Sequence, residues 1–363
     1  MTETNVRKED HLRICLEENV QARTVETGFQ DIHLIHRALP EIARDDVNLS
    51  TALFDHTLSA PIIIEAMTGG VKRAFDINAA LAEAAEVLGL AMGVGSQRAA
   101  IEDPRMAYTF TIVRKRAPHA FLIANIGAPQ LAEYTVDDIR TALDMIEADA
   151  LAVHFNPLQE AVQPEGDPQY EGLVDKVKEV AASLSIPLIA KETGAGIAYE
   201  DARRLEETGV KGIDIGGAGG TSWAAVEACR AKALGNRHRA RLGETFWDWG
   251  LPTAVSVVEV SQSVAVKVLA SGGLRSGLDA AKALILGADA AGFAFNLLKP
   301  AVEGRVQAAL ERIMMELKTA MFLVGARSIK ELQAAPAVIV GKTYQWLTAR
   351  GFHPEKYARR RTP

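Results

Sequence analysis

Cysteine is scarce in this chain. Only Cys15 and Cys229 occur in 363 residues, too few for a disulfide framework, so both are expected as free thiols in a reducing compartment. Long apolar runs are also missing. Nothing approaches the ~20 residues needed to cross a bilayer, and the start, MTETNVRKEDHLRICLEENV, lacks the apolar core of a signal peptide. The expectation is a cytoplasmic protein with no membrane partner. Nor is there an excess of positive charge: 40 Lys and Arg stand against 46 Asp and Glu, a net charge of −6. That excludes nucleic acid or an anionic membrane as a partner drawn in by the overall field, and any anionic ligand must be held locally. The signatures HExxH, paired CxxC, GxxxxGK[ST] and GxSxG are absent, so zincin, zinc-ribbon, P-loop and α/β-hydrolase chemistries have no support.

What is present is ordinary globular usage, 48% hydrophobic and 24% charged residues, enough to bury a sizeable core. From Pro61 onward short β-branched or apolar runs alternate with longer amphipathic stretches, the pattern of βα units around a parallel sheet. Eight strand candidates begin near Ile62, Ala91, Phe121, Ala150, Pro187, Gly212, Val264 and Ala290. Helical patterns lie between them: Ala74 to Leu88, Asp137 to Ile146, Tyr170 to Ser183, Glu200 to Glu207, Gly277 to Leu286 and Val302 to Val324. The predicted fold is α/β, a (β/α)8 TIM barrel with an N-terminal arm or cap over residues 1–60, the barrel over 61–340 and a C-terminal tail over 341–363. A doubly wound open sheet is the competing architecture. The long stretch from Thr221 to Ser263 leaves room for an inserted helix or lid loop after the sixth strand. The basic run Arg359, Arg360, Arg361 before Pro363 reads as a solvated end.

Barrel enzymes place their chemistry at the carboxyl ends of the strands, and here nearly every run ends in polar or glycine residues. Glu65 to Gly70 follow strand one, Ser96, Gln97 and Arg98 strand two, Asn125 strand three, and His154 and Asn156 strand four. Lys191 and Glu192 follow strand five, GGAGGT (216–221) strand six, Ser271, Gly272, Gly273 and Arg275 strand seven, and Gly292 to Phe295 strand eight. Such a crown marks an active site. SGGLRSG (271–277) leads into a helix, where glycine backbone N–H groups and the helix dipole suit a phosphate. HFNPLQEAVQPEGD (154–167) is the densest polar cluster, and Glu160 within it suits a Mg²⁺ ion shared with substrate phosphates. Adjacent Arg7 and Lys8 in RKEDHL suit a diphosphate, the Arg fork beside a compact charge, although the charge pattern alone favours a solvated segment.

Read together, RKEDHL, AMTGG (66–70), GSQR (95–98), NIG (125–127), HFNPLQEAVQPEGD, KETGAG (191–196), DIGGAGGTSW (214–223) and SGGLRSG closely resemble the type 2, flavin-dependent isopentenyl-diphosphate isomerases over residues 5 to 340. The resemblance implies a homo-oligomer, tetramer or octamer, that binds FMN, uses NADPH to reduce it, requires Mg²⁺ and interconverts two isomeric diphosphates. By motif, Ala66, Met67, Thr68, Ser96, Asn125, Lys191 and Thr221 are expected at the flavin, with Gly272, Gly273, Arg275, Phe293 and Ala294 at its phosphate. Arg7, Lys8, Ser96 and Arg98 are expected to hold the substrate diphosphate. Gln159 is expected to meet the substrate's allylic end, with His154 and Asn156 lining that pocket and Glu160 carrying Mg²⁺. Two residues depart from the pattern: Glu65, where a small or amide residue is expected, and Thr193 in a segment that usually reads Lys-Glu-Val-Gly. Two other functions compete. One is an FMN-dependent 2-hydroxy-acid oxidoreductase on the same barrel, which needs a histidine base and has no use for RKEDHL. The other is a non-catalytic flavin or phosphate sensor, which leaves HFNPLQEAVQPEGD idle.

Overall fold

The computed structural model describes residues 3–360. Eight barrel strands are present: β1 (Ile62–Ile64), β2 (Ala91–Gly93), β3 (Leu122–Gly127), β4 (Ala150–Phe155), β5 (Leu188–Glu192), β6 (Gly212–Asp214), β7 (Lys267–Ala270) and β8 (Ala290–Phe293). They pair in chain order, all parallel, and β8 returns to β1, so the sheet closes and the open doubly wound alternative is excluded. Both faces of the strands are covered, which is why they read as continuous apolar runs. Alternation of side chains separates two cores. Ile62, Ile64, Met92 and Leu122 face the surrounding helices, while Ile63, Ala91, Ile123, Ala152, Ile189 and Leu269 fill the barrel interior.

That interior is lined by many small residues, and an element the sequence reading left unresolved completes it. A hairpin of Thr51–Leu53 and His56–Leu58 inserts Leu53, Phe54 and Leu58 among the inner residues. Phe54 stacks on Phe121 with ring centroids 6.0 Å apart and holds a positive φ of 51° at the turn. The hairpin therefore plugs the amino end of the barrel, leaving the carboxyl end for ligands.

Helix boundaries follow local chemistry. Gly89 in the left-handed conformation ends Lys72–Leu88, and capping boxes start Val136–Ile146 at Thr135 and Gly277–Leu286 at Ser276. The helix expected over 302–324 runs from Val306 to Val324, and a separate helix, Phe295–Val302, precedes it, the two divided where Gly304 takes a positive φ. The stretch after β6 holds three helices: Trp223–Ala233 and Arg237–Thr245 form the insertion, and Thr253–Ser261 completes the barrel unit. Residues Glu3–Glu17 form a helix, and Ile14 and Val20 of the arm pack with Val226 and Trp247 of the insertion. Near the other end, Ala337–Ile339 pairs antiparallel with Ile32–Leu34. The basic end is not simply solvated, since Arg360 donates to the carbonyls of Ile285 and Gln333 and stacks on Tyr357. Arg361 and Pro363 lie outside the described residues.

Candidate active site

A cavity opens at the carboxyl end of the barrel, under the N-terminal helix and the insertion. It is lined by Ala66, Met67 and Thr68 after β1, Ser96 and Arg98 after β2, Asn125 on β3, His154 on β4, and Asn156, Gln159 and Glu160 beyond it. Lys191, Thr221, Gly272, Gly273, Arg275 and Ala294 complete the circle, with Arg7 and Lys8 overhead. Phe293 is the exception: its ring is fully buried among Ile62, Ile64 and the outer helices, because its side chain falls on the outward face of β8. Phe295, one helical position beyond Ala294, lines the cavity instead.

The floor is a buried charge cluster. Register places Lys191 beside Asp214 on the adjacent strand, and Lys191 Nζ lies 2.5 Å from Asp214 Oδ2 and 2.8 Å from Glu65 Oε2. Ser271 Oγ donates to Asp214. Burial would strip Lys191 of its proton, but the two carboxylates outweigh it and hold the ammonium charged. Glu65 is also raised, to about 7, through burial and the nearby Asp214 carboxylate, which favours its neutral form. On the adjoining wall His154 Nδ1 lies 2.7 Å from Asn125 Oδ1. The Asn125 backbone N–H donates to buried Gln97, whose amide in turn donates to Ala142. Burial and the positive charges of Lys191 and Lys8 push His154 down to about 3, so its imidazole is neutral.

The rim after β4 is short and polar. Asn156 Nδ2 donates to Gln159 Oε1 at 3.2 Å and to Glu160 Oε1 at 3.0 Å. Glu160 Oε2 accepts from Gln163 Nε2 and from the Asp167 backbone N–H at 2.7 and 2.8 Å. Those bonds fix the carboxylate while leaving Oε1 with unused acceptor capacity.

Cations line the same cavity. Lys8 Nζ donates to the Ser96 carbonyl and sits over the Phe110 ring, and Arg98 pairs with Glu102 at 2.5 Å. Burial and the neighbouring Arg7 lower Lys8 to about 7. Several participants escaped the sequence reading. His11, Leu12 and Cys15 line the cavity together with Arg7 and Lys8. Their spacing of three and four residues is that of one helix face, a signal present in RKEDHLRIC but hidden by reading the segment as an irregular arm. His11 Nε2 lies 2.6 Å from Glu227 Oε1, edge-on to Trp223, and Glu227 also pairs with Arg230, which reaches Glu165 at 2.6 Å. Contacts with His11 and Arg230 overcome burial and hold the Glu227 carboxyl below its ordinary range. No local pattern ties residue 11 to residue 227.

The glycine loops behave differently from one another. Arg275 and Ser276 N–H groups donate to Asp279, and Gly277 N–H donates to Glu316, so carboxylates already satisfy the start of the Gly277–Leu286 helix. By contrast, Phe295–Val302 begins at Ala294 without a side-chain cap. Gly272 and Gly273 hold positive φ, and a Cβ on Gly273 would lie 2.5 Å from Thr27 Cγ2.

A family model of FMN-dependent dehydrogenases matches residues 3–107 and 106–339. The isopentenyl-diphosphate delta-isomerase of Methanosarcina barkeri is 48% identical over 357 residues, covering 98% of this chain and 97% of that protein. That of Methanothermobacter thermautotrophicus is 49% identical over 356 residues, covering 98% and 99%. The chain belongs to the FMN-dependent isopentenyl-diphosphate delta-isomerase family. Among solved structures, a protein described as a lactate oxidase of Pediococcus acidilactici superposes with a TM-score of 0.66 at 16% identity, over 93% of this chain and 94% of that one. A mandelate oxidase variant carrying an FMN adduct gives 0.60 at 19%, over 92% of each chain. At such identities the likeness extends to the fold alone.

The residues present fit FMN. Gly272, Gly273 and Ala294 all line the cavity. The two glycines hold positive φ where a Cβ would collide with Gly217 and Thr27, and the Phe295–Val302 helix starts without a side-chain cap, so the site offers backbone N–H groups to a phosphate. Mg²⁺ fits in a narrower way. Among the described residues no three His, Cys, Asp or Glu side chains converge on one point, so an ion at Glu160 would need substrate phosphate oxygens to complete its shell.

Proposed function

We propose that this chain interconverts isopentenyl and dimethylallyl diphosphate with FMN that NADPH reduces, and that Glu160 would hold a Mg²⁺ ion, which would supply positive charge to the substrate diphosphate. The observation that carries this reading is the gathering of Arg7, Lys8 and Arg98 in one cavity with the polar Asn156 and Gln159 at the carboxyl end of the barrel. The reaction gains a proton at the terminal methylene and loses one from the carbon next to the diphosphate-bearing carbon. When bound and reduced, FMN supplies proton-transfer capacity and negative charge beside the developing cation.

The chain's own residues do the rest. Arg7, Lys8, Arg98 and Ser96 hold the diphosphate. Gln159, held within 3.4 Å of Gln163 Oε1 and 3.5 Å of Glu227 Oε1, positions the five-carbon end without adding charge. His11 and Trp223 close the space above and exclude water. The hydroxy-acid oxidoreductase reading needs a basic histidine, whereas His154 lies near 3 and is a poor proton acceptor at neutral pH.

The test follows NADPH absorbance alongside product formation without oxygen. The substrate and product are at one oxidation level, so many products should form per NADPH consumed. One NADPH lost per product would refute the isomerase reading. We further infer a homo-oligomer, checked by light scattering, for which a mass of 39.1 kDa would mean a monomer.

A further inference from the structure

Glu65 is a residue of the cavity floor to which the proposed reaction assigns no role. Its side chain is 7% exposed. One oxygen, Oε2, meets Lys191, while Oε1 has no hydrogen-bond partner and faces Gly292 so closely that a Cβ there would lie 2.0 Å from it. The charged groups turned toward Glu65 are Lys191 on β5 and Asp214 on β6. From β7 Ser271 donates to Asp214, and β8 presents Gly292. One ammonium therefore stands between two buried carboxylates, and the cluster is neutral only when one of them carries a proton. An orphaned buried carboxylate oxygen beside a glycine is where such a proton is best accommodated, since an ionised oxygen without a donor pays a desolvation cost that a carboxyl avoids.

We propose that Glu65 is a charge-setting, positioning residue of the flavin site, taking up a proton from solvent when the ring above it gains negative charge on reduction. The proposal rests on FMN binding in this cavity. Electrons come from the reductant, dithionite or NADPH; per two electrons one proton enters at the ring and up to one more at Glu65, in proportion to the fraction of its carboxyl that is ionised beforehand. Its carboxyl titrates near 7, so the coupling operates around neutral pH and fades below pH 5.

The test compares wild type with Glu65→Gln, which keeps the shape and a contact to Lys191 but cannot titrate. The midpoint potential of bound FMN, followed by absorbance from pH 6 to 8, should fall more steeply in wild type. The limit of the difference is a tenfold change in equilibrium constant per pH unit, which is 29.6 mV for a two-electron couple. Equal slopes in the two proteins would overturn the proposal. A second arm uses the apoprotein. A carboxyl raised to about 7 when folded and ordinary when unfolded stabilises the fold at low pH and loses that contribution as pH rises through 7. The melting temperature of wild type should therefore drop relative to Glu65→Gln between pH 5 and 8, and a constant difference would also overturn it. A protein that takes up no FMN would sink the functional reading, with the apoprotein arm still deciding Glu65.

Discussion

Diphosphate binding should draw a proton into the enzyme, and Lys8 is the reason. Its ammonium is lowered to about 7 by burial and by Arg7 and Arg98, against a weaker opposing pull from Glu102. A diphosphate beside it reverses that balance, because two or more negative charges restore the preference for the charged form. With a starting value near 7, the free enzyme lacks about half a proton on Lys8 at pH 7 and about 0.9 at pH 8. Binding at pH 8 must fill that deficit, and affinity should fall about tenfold between pH 6 and pH 8. Calorimetric titration in two buffers of different ionisation enthalpy reads the uptake directly. Because the substrate's own phosphate also titrates, the control is Lys8→Arg, which keeps the charge at every pH used. Wild type should take up about 0.9 more protons than Lys8→Arg at pH 8 and almost none more at pH 6. Identical uptake in both proteins would show that Lys8 is already charged, and the reasoning from its burial would fail.

Three further outcomes are expected. Gln159→Ala should bind FMN with an unchanged spectrum yet lose about a hundredfold in turnover, since misplacing the reacting end is costly while the cofactor loops are untouched; steady-state rates with the reduced enzyme decide it. Glu160→Gln removes one charge-assisted contact worth about 1.5–3 kcal/mol and should raise the Mg²⁺ needed for half-maximal rate about tenfold to a hundredfold. An unchanged Mg²⁺ titration would place the ion elsewhere. Leu53→Ala, in the plug at the amino end of the barrel, removes a side chain that is 1% exposed and should cost about 2–5 kcal/mol in denaturant unfolding, with FMN affinity retained because the cavity lies at the opposite end.

The sequence by itself determined the barrel. Short continuous apolar runs alternate with helical stretches, and both signals are local, so β1 to β8 and most intervening helices fall where patterning places them. It also determined which residues crown the strands, because a residue at a strand's carboxyl end has one direction in which to project. Phe293 shows the limit of that logic: one position along a strand reverses the face, and its ring turned outward. Only the tertiary structure decided the rest. Whether the arm was loose or a helix depended on the apolar surface of the insertion it packs against, more than 200 residues away. The pairing of His11 with Glu227 and of Glu65 with Lys191 and Asp214 likewise joins residues that no spacing connects. The charges in the floor and on the lysine above it moved for the same reason. Burial and opposing neighbours set a group's protonation, and both exist only once distant segments have closed around it.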